Sequence, residues 1–302
     1  MYDQVAQNKR RTVYLISGFM VLVIGVALAI DLITGAGAWL VPVAVVLAVA
    51  MSWASYWKSD TVALAMSRAQ PADPHTYARL HNLVEGLCVA SGLPKPRVYI
   101  VEDEAPNAFA TGRNPQHAAI AVTTGLLEKM NRVELEGVLA HELSHVKNYD
   151  ILVSTIAVTL VGVVALMSDI GIRMLWWNGG RRGRNDNGGS SPFAFLAVLG
   201  FALLILSPLI AKVMQAAVSR RRETLADVSG VEMTRYPPGL ISALEKLKDD
   251  TTVIHSGSRA TAHLWIEQPL AHDEEEGKLS RLNRMFDTHP PLEDRIAALR
   301  EL

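Results

Sequence analysis

Residues 139–151 read LAHELSHVKNYDI, with two histidines four positions apart and a glutamate directly after the first. If this stretch is an α-helix, residues four apart lie on one face, so His141 and His145 can direct their imidazoles at one cation. Glu142 lies a fraction of a turn away from that face. The spacing H-E-x-x-H is the one with which zinc peptidases bind their metal and place a general base. The alternative is a helix with two incidental surface histidines.

The residues before the first histidine predict that this stretch is helical. Asn131 is followed three positions later by Glu134, which is the pattern of a capping box at a helix start. Apolar residues then recur at helical spacing, at Leu135, Val138, Leu139, Leu143 and Val146. We therefore expect one helix that begins near residue 131 and carries both histidines.

The composition favours a membrane protein. Half of the 302 residues are hydrophobic and 20% are charged, which is too apolar for an ordinary soluble domain of this length. The net charge of −1 gives no general basic character, so we do not expect a nucleic-acid-binding protein. The single cysteine, Cys88, excludes an internal disulfide framework. It lies in an apolar helical pattern, and we interpret it as a core residue rather than a nucleophile.

Two long apolar runs near the N-terminus predict a transmembrane hairpin within residues 1–57. Residues 13–30 contain no charged side chain and are long enough to cross a bilayer, and a second such run covers residues 38–56. A cleaved signal peptide is the alternative, but its hydrophobic core would be shorter. Because the basic residues 9–11 precede the hairpin and its connector has no lysine or arginine, both ends are expected in the cytoplasm.

Residues 58–150 have mixed polarity and are expected to form the first part of a globular domain. A helix is predicted from Asp73-Pro74 to Gly92, where a cap, a first-turn proline and a final glycine mark its ends. Three short strands are predicted after it, at Arg97–Val101, Asn107–Gly112 and Ala118–Thr123. An edge strand can hold an extended peptide by main-chain hydrogen bonds, so Asn107 and Ala108 are candidate substrate-binding residues. A purely structural sheet is equally compatible with these residues.

A second membrane hairpin is predicted within residues 151–214. Residues 151–167 are uncharged, and residues 192–213 form another long apolar run. Between them lies a loop rich in glycine, asparagine and arginine. Its arginines would lie outside the cell, against the positive-inside tendency. Nucleic-acid binding by this loop is an alternative, but no fold signature accompanies it.

The two histidines leave a catalytic zinc site short of one protein ligand, because such a site typically has three. Asn148 and Ile151 occupy the positions at which a metzincin has a glycine and a third histidine, which excludes that class. After the last apolar run, Glu223 and Asp227 are four positions apart in a segment expected to be helical. Glu223 can bind the metal, and Asp227 can accept a hydrogen bond from the outer N–H of a ligand histidine. An exposed charged face beside three arginines is the alternative.

Four motifs occur in this order around the apolar hairpins: Asn107-Ala-Phe-Ala-Thr-Gly112, His141-Glu-x-x-His145, Arg220-Arg-Arg-Glu223-x-x-Ala-Asp227 and Thr288-His-Pro-Pro291. With them the chain resembles, end to end, the HtpX family of membrane zinc metallopeptidases, which are relatives of the CAAX prenyl proteases. The resemblance implies a gluzincin-like domain on the cytoplasmic face of the cell inner membrane. It implies that His141, His145 and Glu223 bind one Zn²⁺ and that Glu142 is catalytic. It also implies a role in degrading damaged membrane proteins, commonly under stress.

The predicted fold is mainly α with a small β-sheet, two transmembrane helical hairpins and a zinc peptidase domain built from residues 58–150 and 215–302. The expected partners are the lipid bilayer and membrane-protein or unfolded polypeptide substrates, without nucleic acid. His289 and Arg295 are candidates for contacting substrate and stabilising an oxyanion, although packing is the favoured role. A non-catalytic, metal-stabilised membrane adaptor and a CAAX-type processing protease are the alternatives. Glu142 argues against the adaptor, because a structural site needs no unbound carboxylate beside the metal.

Overall fold

Two long helices form the N-terminal part of the protein, whose computed structural model describes residues 2–34, 40–157, 159–160, 173, 220–254, 264–266 and 290–302. Helix α1 (Tyr2–Thr34) and helix α2 (Leu40–Met66) pack against each other. Within the described ranges, the stretch Val41–Met66 is long and apolar enough to cross a membrane. The predicted pair of N-terminal helices is therefore present, and its passage through a bilayer remains a prediction.

Helix α2 is longer than the apolar run that it contains. It continues through residue 57, where the predicted first domain ends, and its last turns bring Ala63 and Leu64 against the β-sheet. Residues 57–66 contain no proline or glycine, so nothing in their sequence interrupts the helix. A continuous helix, rather than a flexible linker, therefore joins the hairpin to the globular part.

A mixed four-stranded sheet packs on the end of α2. Its strands are β1 (Gln70–Pro71), β2 (Arg97–Val101), β3 (Ala108–Gly112) and β4 (Ala118–Thr123), in the spatial order β1-β2-β4-β3. β2 and β4 are parallel, whereas β3 pairs antiparallel with β4 and forms one edge. The three predicted strands are confirmed, with β3 beginning one residue later than expected. The two-residue β1 was not predicted, because it is too short for an alternating pattern.

The predicted start of the first domain helix is wrong. The Asp73 carboxylate accepts hydrogen bonds from the backbone N–H groups of His75 and Thr76, at 3.1 and 2.8 Å, and so closes a turn. Helix α3 (Ala78–Ser91) begins only after this turn. Its predicted end is confirmed, since Gly92 caps it in the left-handed conformation with φ of 70°. Cys88 is buried in the core on this helix, as expected.

The helix with both histidines begins as its sequence predicts. Helix α4 (Thr124–Lys129) ends just before it, and helix α5 (Arg132–Lys147) starts with the predicted capping box. The Asn131 side chain accepts from the N–H of Glu134 at 3.0 Å, and the Glu134 carboxylate accepts from the N–H of Asn131 at 2.8 Å. α5 is buried along most of its length, which makes it the central helix of the domain.

Three further helices surround α5: α6 (Arg220–Thr234), α7 (Pro237–Asp249) and α8 (Leu292–Arg300). Glycines permit the close approach of two of them. A Cβ atom on Gly230 of α6 would lie 3.0 Å from the backbone nitrogen of His141, and one on Gly137 of α5 would lie 2.8 Å from that of Leu240. The apolar faces of α3, α5, α7 and α8 and one face of the sheet form the main core.

Several predictions concern residues outside the described ranges. They are the second membrane hairpin beyond residue 160, its arginine-rich loop, and His289 in the Thr-His-Pro-Pro motif. Residues 150–157 are helical and begin after a short turn that follows α5. The division into domains at residues 57, 150 and 214 remains a prediction.

Candidate metal centre

Three potential metal ligands converge between α5 and α6. His141 and His145 lie one turn apart on α5, and Glu223 lies on the first turn of α6, with ligand atoms from all three within 4.8 Å of one another. The two Nε2 atoms are 3.2 Å apart. Glu223 places one carboxylate oxygen 3.7 Å from Nε2 of His141 and the other 3.6 Å from Nε2 of His145. A single cation can therefore contact all three side chains.

The spacing of these atoms fits zinc. A tetrahedral zinc ion bound at its usual ligand distances holds neighbouring ligand atoms about 3.4 Å apart, which is close to the three separations in this structure. Two imidazoles and one carboxylate are a ligand set typical of catalytic zinc, and they leave the fourth position for water or substrate. His141 and Glu223 are buried, whereas His145 is partly exposed.

Both histidines are held by carboxylates at their outer nitrogens. Nδ1 of His141 lies 2.8 Å from Asp227 of α6, and Nδ1 of His145 lies 3.2 Å from Asp150. A carboxylate at Nδ1 fixes the proton there and leaves Nε2 free to bind a metal. The structure thus places Asp227 where the sequence predicts it.

Asp150 was not predicted as part of the site. The sequence feature that could have indicated it is an aspartate five positions after His145. Its direction, however, depends on a turn in which Tyr149 adopts a positive φ of 60°. A tyrosine has no preference for that conformation, so the sequence does not indicate the turn.

Arg295 of α8 contacts Asp227 and the ring of His141. Its Nε and Nη2 atoms donate to the two carboxylate oxygens at 2.9 and 2.7 Å, and its side chain is buried. This bidentate pair holds Asp227 in place against His141. The contact agrees with the packing role favoured for Arg295, and its predicted contact with substrate remains a prediction.

The electrostatics of the centre favour a cation between the ligands. Burial lowers the pKa of His141 to about 4, and Arg295 adds to this effect, so the imidazole is neutral as a ligand must be. Burial also acts to lower the pKa of His145, but the nearby Glu223 and Asp150 outweigh it and raise that pKa to about 9. The same carboxylates that stabilise a proton on His145 stabilise a metal dication at its Nε2.

Glu142 lies beside the ligands without being one of them. It is buried, and burial raises its pKa to about 8, with a smaller opposing effect from His145. The backbone N–H of Ala110 in β3 donates to its carboxylate. A carboxyl group whose pKa is close to neutral can both take up and release a proton, as a general base and acid must.

The edge of β3 therefore lies next to the metal centre, but part of it is already occupied. The backbone N–H of Ile266 donates to the carbonyl of Ala108 at 3.0 Å. The Asn107 side chain accepts from the N–H of Ala108 at 3.0 Å, so it turns back on its own strand. The structure places Asn107 and Ala108 at the sheet edge that the sequence predicts, and both residues make hydrogen bonds to other residues of the same chain.

Comparison with known proteins gives relatives along the entire chain. Residues 74–302 match the model of peptidase family M48. A protease HtpX homolog of Thermoanaerobacter pseudethanolicus is 41% identical over 305 residues, which cover 100% of this chain and 98% of the relative. One of Streptococcus uberis is 40% identical over 303 residues, and one of Tropheryma whipplei is 43% identical over 302 residues. Both matches cover 100% of this chain. They cover 100% of the S. uberis relative and 98% of the T. whipplei relative.

A solved structure, that of S. mikatae Ste24p, matches 99% of this chain and 67% of its own chain, with a TM-score of 0.49 and 18% sequence identity. The family match spans both parts of the metal centre, from α5 to α6 and on to α8. The HtpX relatives extend the similarity to the N-terminal helices. The chain therefore belongs to peptidase family M48 and is a membrane zinc metalloprotease.

Proposed function

We propose that this metalloprotease is an endopeptidase that hydrolyses damaged or misfolded membrane proteins at the cytoplasmic face of the cell inner membrane. One Zn²⁺ is held by His141, His145 and Glu223. The observation that carries the proposal is the convergence of these three side chains beside Glu142, a buried carboxyl that is not one of them. A site that served stability alone would have no use for that carboxyl.

A zinc ion held by these residues would supply Lewis acidity for a water molecule and for the scissile carbonyl. Glu142, buried beside the three ligands, accepts the proton of the attacking water and delivers it to the leaving amine. Asp227 and Asp150 keep the two imidazoles oriented. Arg295 holds Asp227, and its Nη2 atom also lies 3.4 Å from both ring nitrogens of His141.

A contact between α1 and the metal centre supports the cytoplasmic orientation. Asn8 on α1 donates to Asp150, the carboxylate that holds His145, at 2.7 Å. The basic residues 9–11 directly follow Asn8 and therefore lie on the same side of the membrane as the site. By the positive-inside tendency, that side is the cytoplasm.

We expect that a substrate strand on the edge of β3 displaces the chain's own residues 264–266. Trp265 is buried and packs edge-on against Phe109 with ring centroids 4.7 Å apart, next to the Ile266–Ala108 hydrogen bond. Trp265→Ala removes this packing and should lower the KM for an unfolded polypeptide with little change in kcat. Trp53→Ala, which alters an exposed tryptophan of α2, is the control. An unchanged or higher KM for Trp265→Ala would contradict the expectation that substrate displaces residues 264–266 from the edge of β3.

The function is tested by zinc content and proteolysis of the purified full chain. We expect one zinc ion per chain, and cleavage of casein and of an unfolded membrane protein that a chelator abolishes. Glu142→Gln should retain the zinc while cleavage falls by about a hundredfold or more, because proton transfer is lost. Glu136→Gln on the same helix is the control.

Near-normal cleavage by Glu142→Gln refutes the assigned base. If the enzyme cleaves prenylated peptides and leaves membrane proteins intact, it is a CAAX-type processing protease and the proposed substrate class is wrong. A zinc-bound chain that cleaves neither substrate indicates the adaptor.

A further inference from the structure

Asn8 on α1 makes buried contacts with the turn that follows the zinc helix α5. Its side-chain Nδ2 donates to the backbone carbonyl of Asn148 at 2.9 Å and to the Asp150 carboxylate at 2.7 Å. Both partners are acceptors, so the amide nitrogen must face them. Only 3% of Asn8 is exposed, and the residues that it joins are 140 and 142 positions away. The contact is therefore a tertiary one, made where α1 meets the site.

Asp150 connects Asn8 to the metal centre. One of its oxygens accepts from Asn8, and the other lies 3.2 Å from Nδ1 of His145. Arg222 of α6 lies farther away, with Nη1 at 3.7 Å from the oxygen that Asn8 contacts. A carboxylate can orient a ligand histidine only if its own position is fixed. Among the contacts that the Asp150 carboxylate receives from other elements, the one from Asn8 is the shortest.

Other residues of α1 follow the same path along the chain after α5. The ammonium group of Lys9 lies over the ring of Tyr149, 5.1 Å from its centroid. Tyr149 is the turn residue with positive φ. Farther along α1, Leu15 packs against Val153 and Ala157, which follow Tyr149 in the chain. α1 thus covers both the turn that places Asp150 and the helical residues that follow it.

We propose that Asn8 is a positioning residue of the metal centre: it orients Asp150, which in turn orients His145. The N-terminal membrane helix is then a part of the active site rather than only an anchor. This inference rests on the proposed zinc centre. It adds to that centre a residue that is neither a metal ligand nor the general base.

Zinc affinity tests the inference without recourse to proteolysis. The purified full chain is stripped of metal and titrated with zinc in competition with a chromophoric chelator. Asn8→Ala should weaken zinc binding by about tenfold, within the range for partners of metal ligands. The isosteric Asn8→Asp sets a carboxylate against Asp150 and should weaken it at least as much. Gln7→Ala alters an exposed amide on the preceding residue and should leave the affinity unchanged.

A double variant separates positioning from simple stabilisation. If Asn8 acts through Asp150, then Asn8→Ala should cause no further loss of zinc affinity in a chain that already carries Asp150→Asn. Additive losses would show that Asn8 acts by another route and overturn the proposal. Cobalt(II) bound in place of zinc reports ligand geometry in its visible spectrum, which Asn8→Ala should alter and Gln7→Ala should not.

The outcomes distinguish the inference from the function on which it rests. If the unaltered chain binds no zinc, the proposed function fails. If that chain binds zinc and Asn8→Ala and Asn8→Asp bind it equally well, the function stands and the role of Asn8 is refuted. Unfolding by urea in excess chelator shows whether each variant is folded.

Discussion

Asp227 illustrates how much of this site depends on single buried residues. Its carboxylate faces Nδ1 of His141 on one side and receives two hydrogen bonds from Arg295 on the other. Burial alone would raise its pKa, but Arg295 and His141 hold that pKa at about 2. Asp227 is therefore ionised at all relevant pH values, and it links the metal centre to the C-terminal helix α8.

Asp227→Asn should weaken zinc binding by about 10- to 100-fold, because a neutral amide holds the imidazole less strongly. It also leaves the buried Arg295 without its counter-charge, which should lower the free energy of unfolding by about 3 kcal/mol. Chelator competition measures the first effect, and urea unfolding in excess chelator measures the second. Asp294→Asn, on the exposed face of α8, is the control and should change neither quantity. Wild-type zinc affinity in Asp227→Asn would contradict the role of the carboxylate.

Among the helices, the approach of α6 to α5 decides whether Glu223 reaches the histidines. Gly230 makes this approach possible, since a Cβ atom there would lie 3.0 Å from the nitrogen and 3.2 Å from the Cα of His141. Both atoms belong to the backbone of a buried helix and cannot move aside as a side chain can. The absence of a side chain at residue 230 therefore contributes to the ligand geometry.

We expect Gly230→Ala to push α6 away from α5 and to weaken zinc binding through Glu223. The free energy of unfolding should fall by about 1–3 kcal/mol, the usual cost of overpacking, although alanine favours the helix itself. Gly86→Ala on α3 is the matched control, because a Cβ atom there meets nothing within 4 Å. That control should be neutral or stabilising. Equal effects of the two substitutions on zinc affinity would contradict the close-approach argument.

The start of α5 depends on an ionised carboxyl. Burial acts to raise the pKa of Glu134, but hydrogen bonds from Lys246, Ser242 and the N–H of Asn131 outweigh it and hold the pKa below its usual 4.5. A carboxyl with a depressed pKa in the folded protein contributes stability above its unfolded pKa, and this stability is lost as the pH falls through the folded pKa. The cap therefore stabilises the zinc helix best at neutral pH.

Glu134→Gln should lower the free energy of unfolding by about 1–3 kcal/mol at pH 7, the range for hydrogen bonds to charged groups. The difference from the unaltered chain should shrink as the pH falls below 4.5, where the carboxyl first gains a proton in the unfolded chain, and then through the lower pKa of the folded protein. Urea unfolding at several pH values in excess chelator measures it. Glu136→Gln, on the same helix, should show no such trend. A difference that does not depend on pH would show that the charge of Glu134 contributes nothing.

For the whole molecule, the contact between α1 and the turn that follows α5 predicts which segments share one side of the membrane. The N-terminal residues and the globular part should both be cytoplasmic, and the connector at residues 31–37 should be outside. The chain offers a convenient background for labelling, because its one cysteine, Cys88, is buried and burial raises its pKa to about 11. An unaltered chain should therefore react slowly with thiol reagents.

A membrane-impermeant maleimide should label Gly35→Cys in intact cells. It should label Gln7→Cys, and Val89→Cys on an exposed position of α3, only in inverted membrane vesicles. Labelling of Gln7→Cys and Val89→Cys from opposite sides would contradict the Asn8–Asp150 contact. Labelling of both in intact cells would reverse the proposed orientation.

Local patterns were sufficient for much of the secondary structure. The capping box at Asn131, the three strands and the glycine at the end of α3 are set by neighbouring residues, and they were found as predicted apart from a one-residue shift at the start of β3. The start of α3 was mispredicted because Asp73 can cap a turn as well as a helix. The short β1 was missed because its pairing with β2 depends on a distant partner.

By itself, the sequence determined most of the described elements and the chemistry of the metal site, because helical period places His141 and His145 on one face and Glu223 and Asp227 on another. Only the tertiary structure decided which residues hold those groups in place, namely Asp150 after its positive-φ turn and Asn8 from α1. It alone also showed that Ile266 occupies part of the edge of β3. These contacts depend on how helices and loops pack across long separations in the chain. Packing of that kind is a balance over many residues, and short sequence patterns do not encode it.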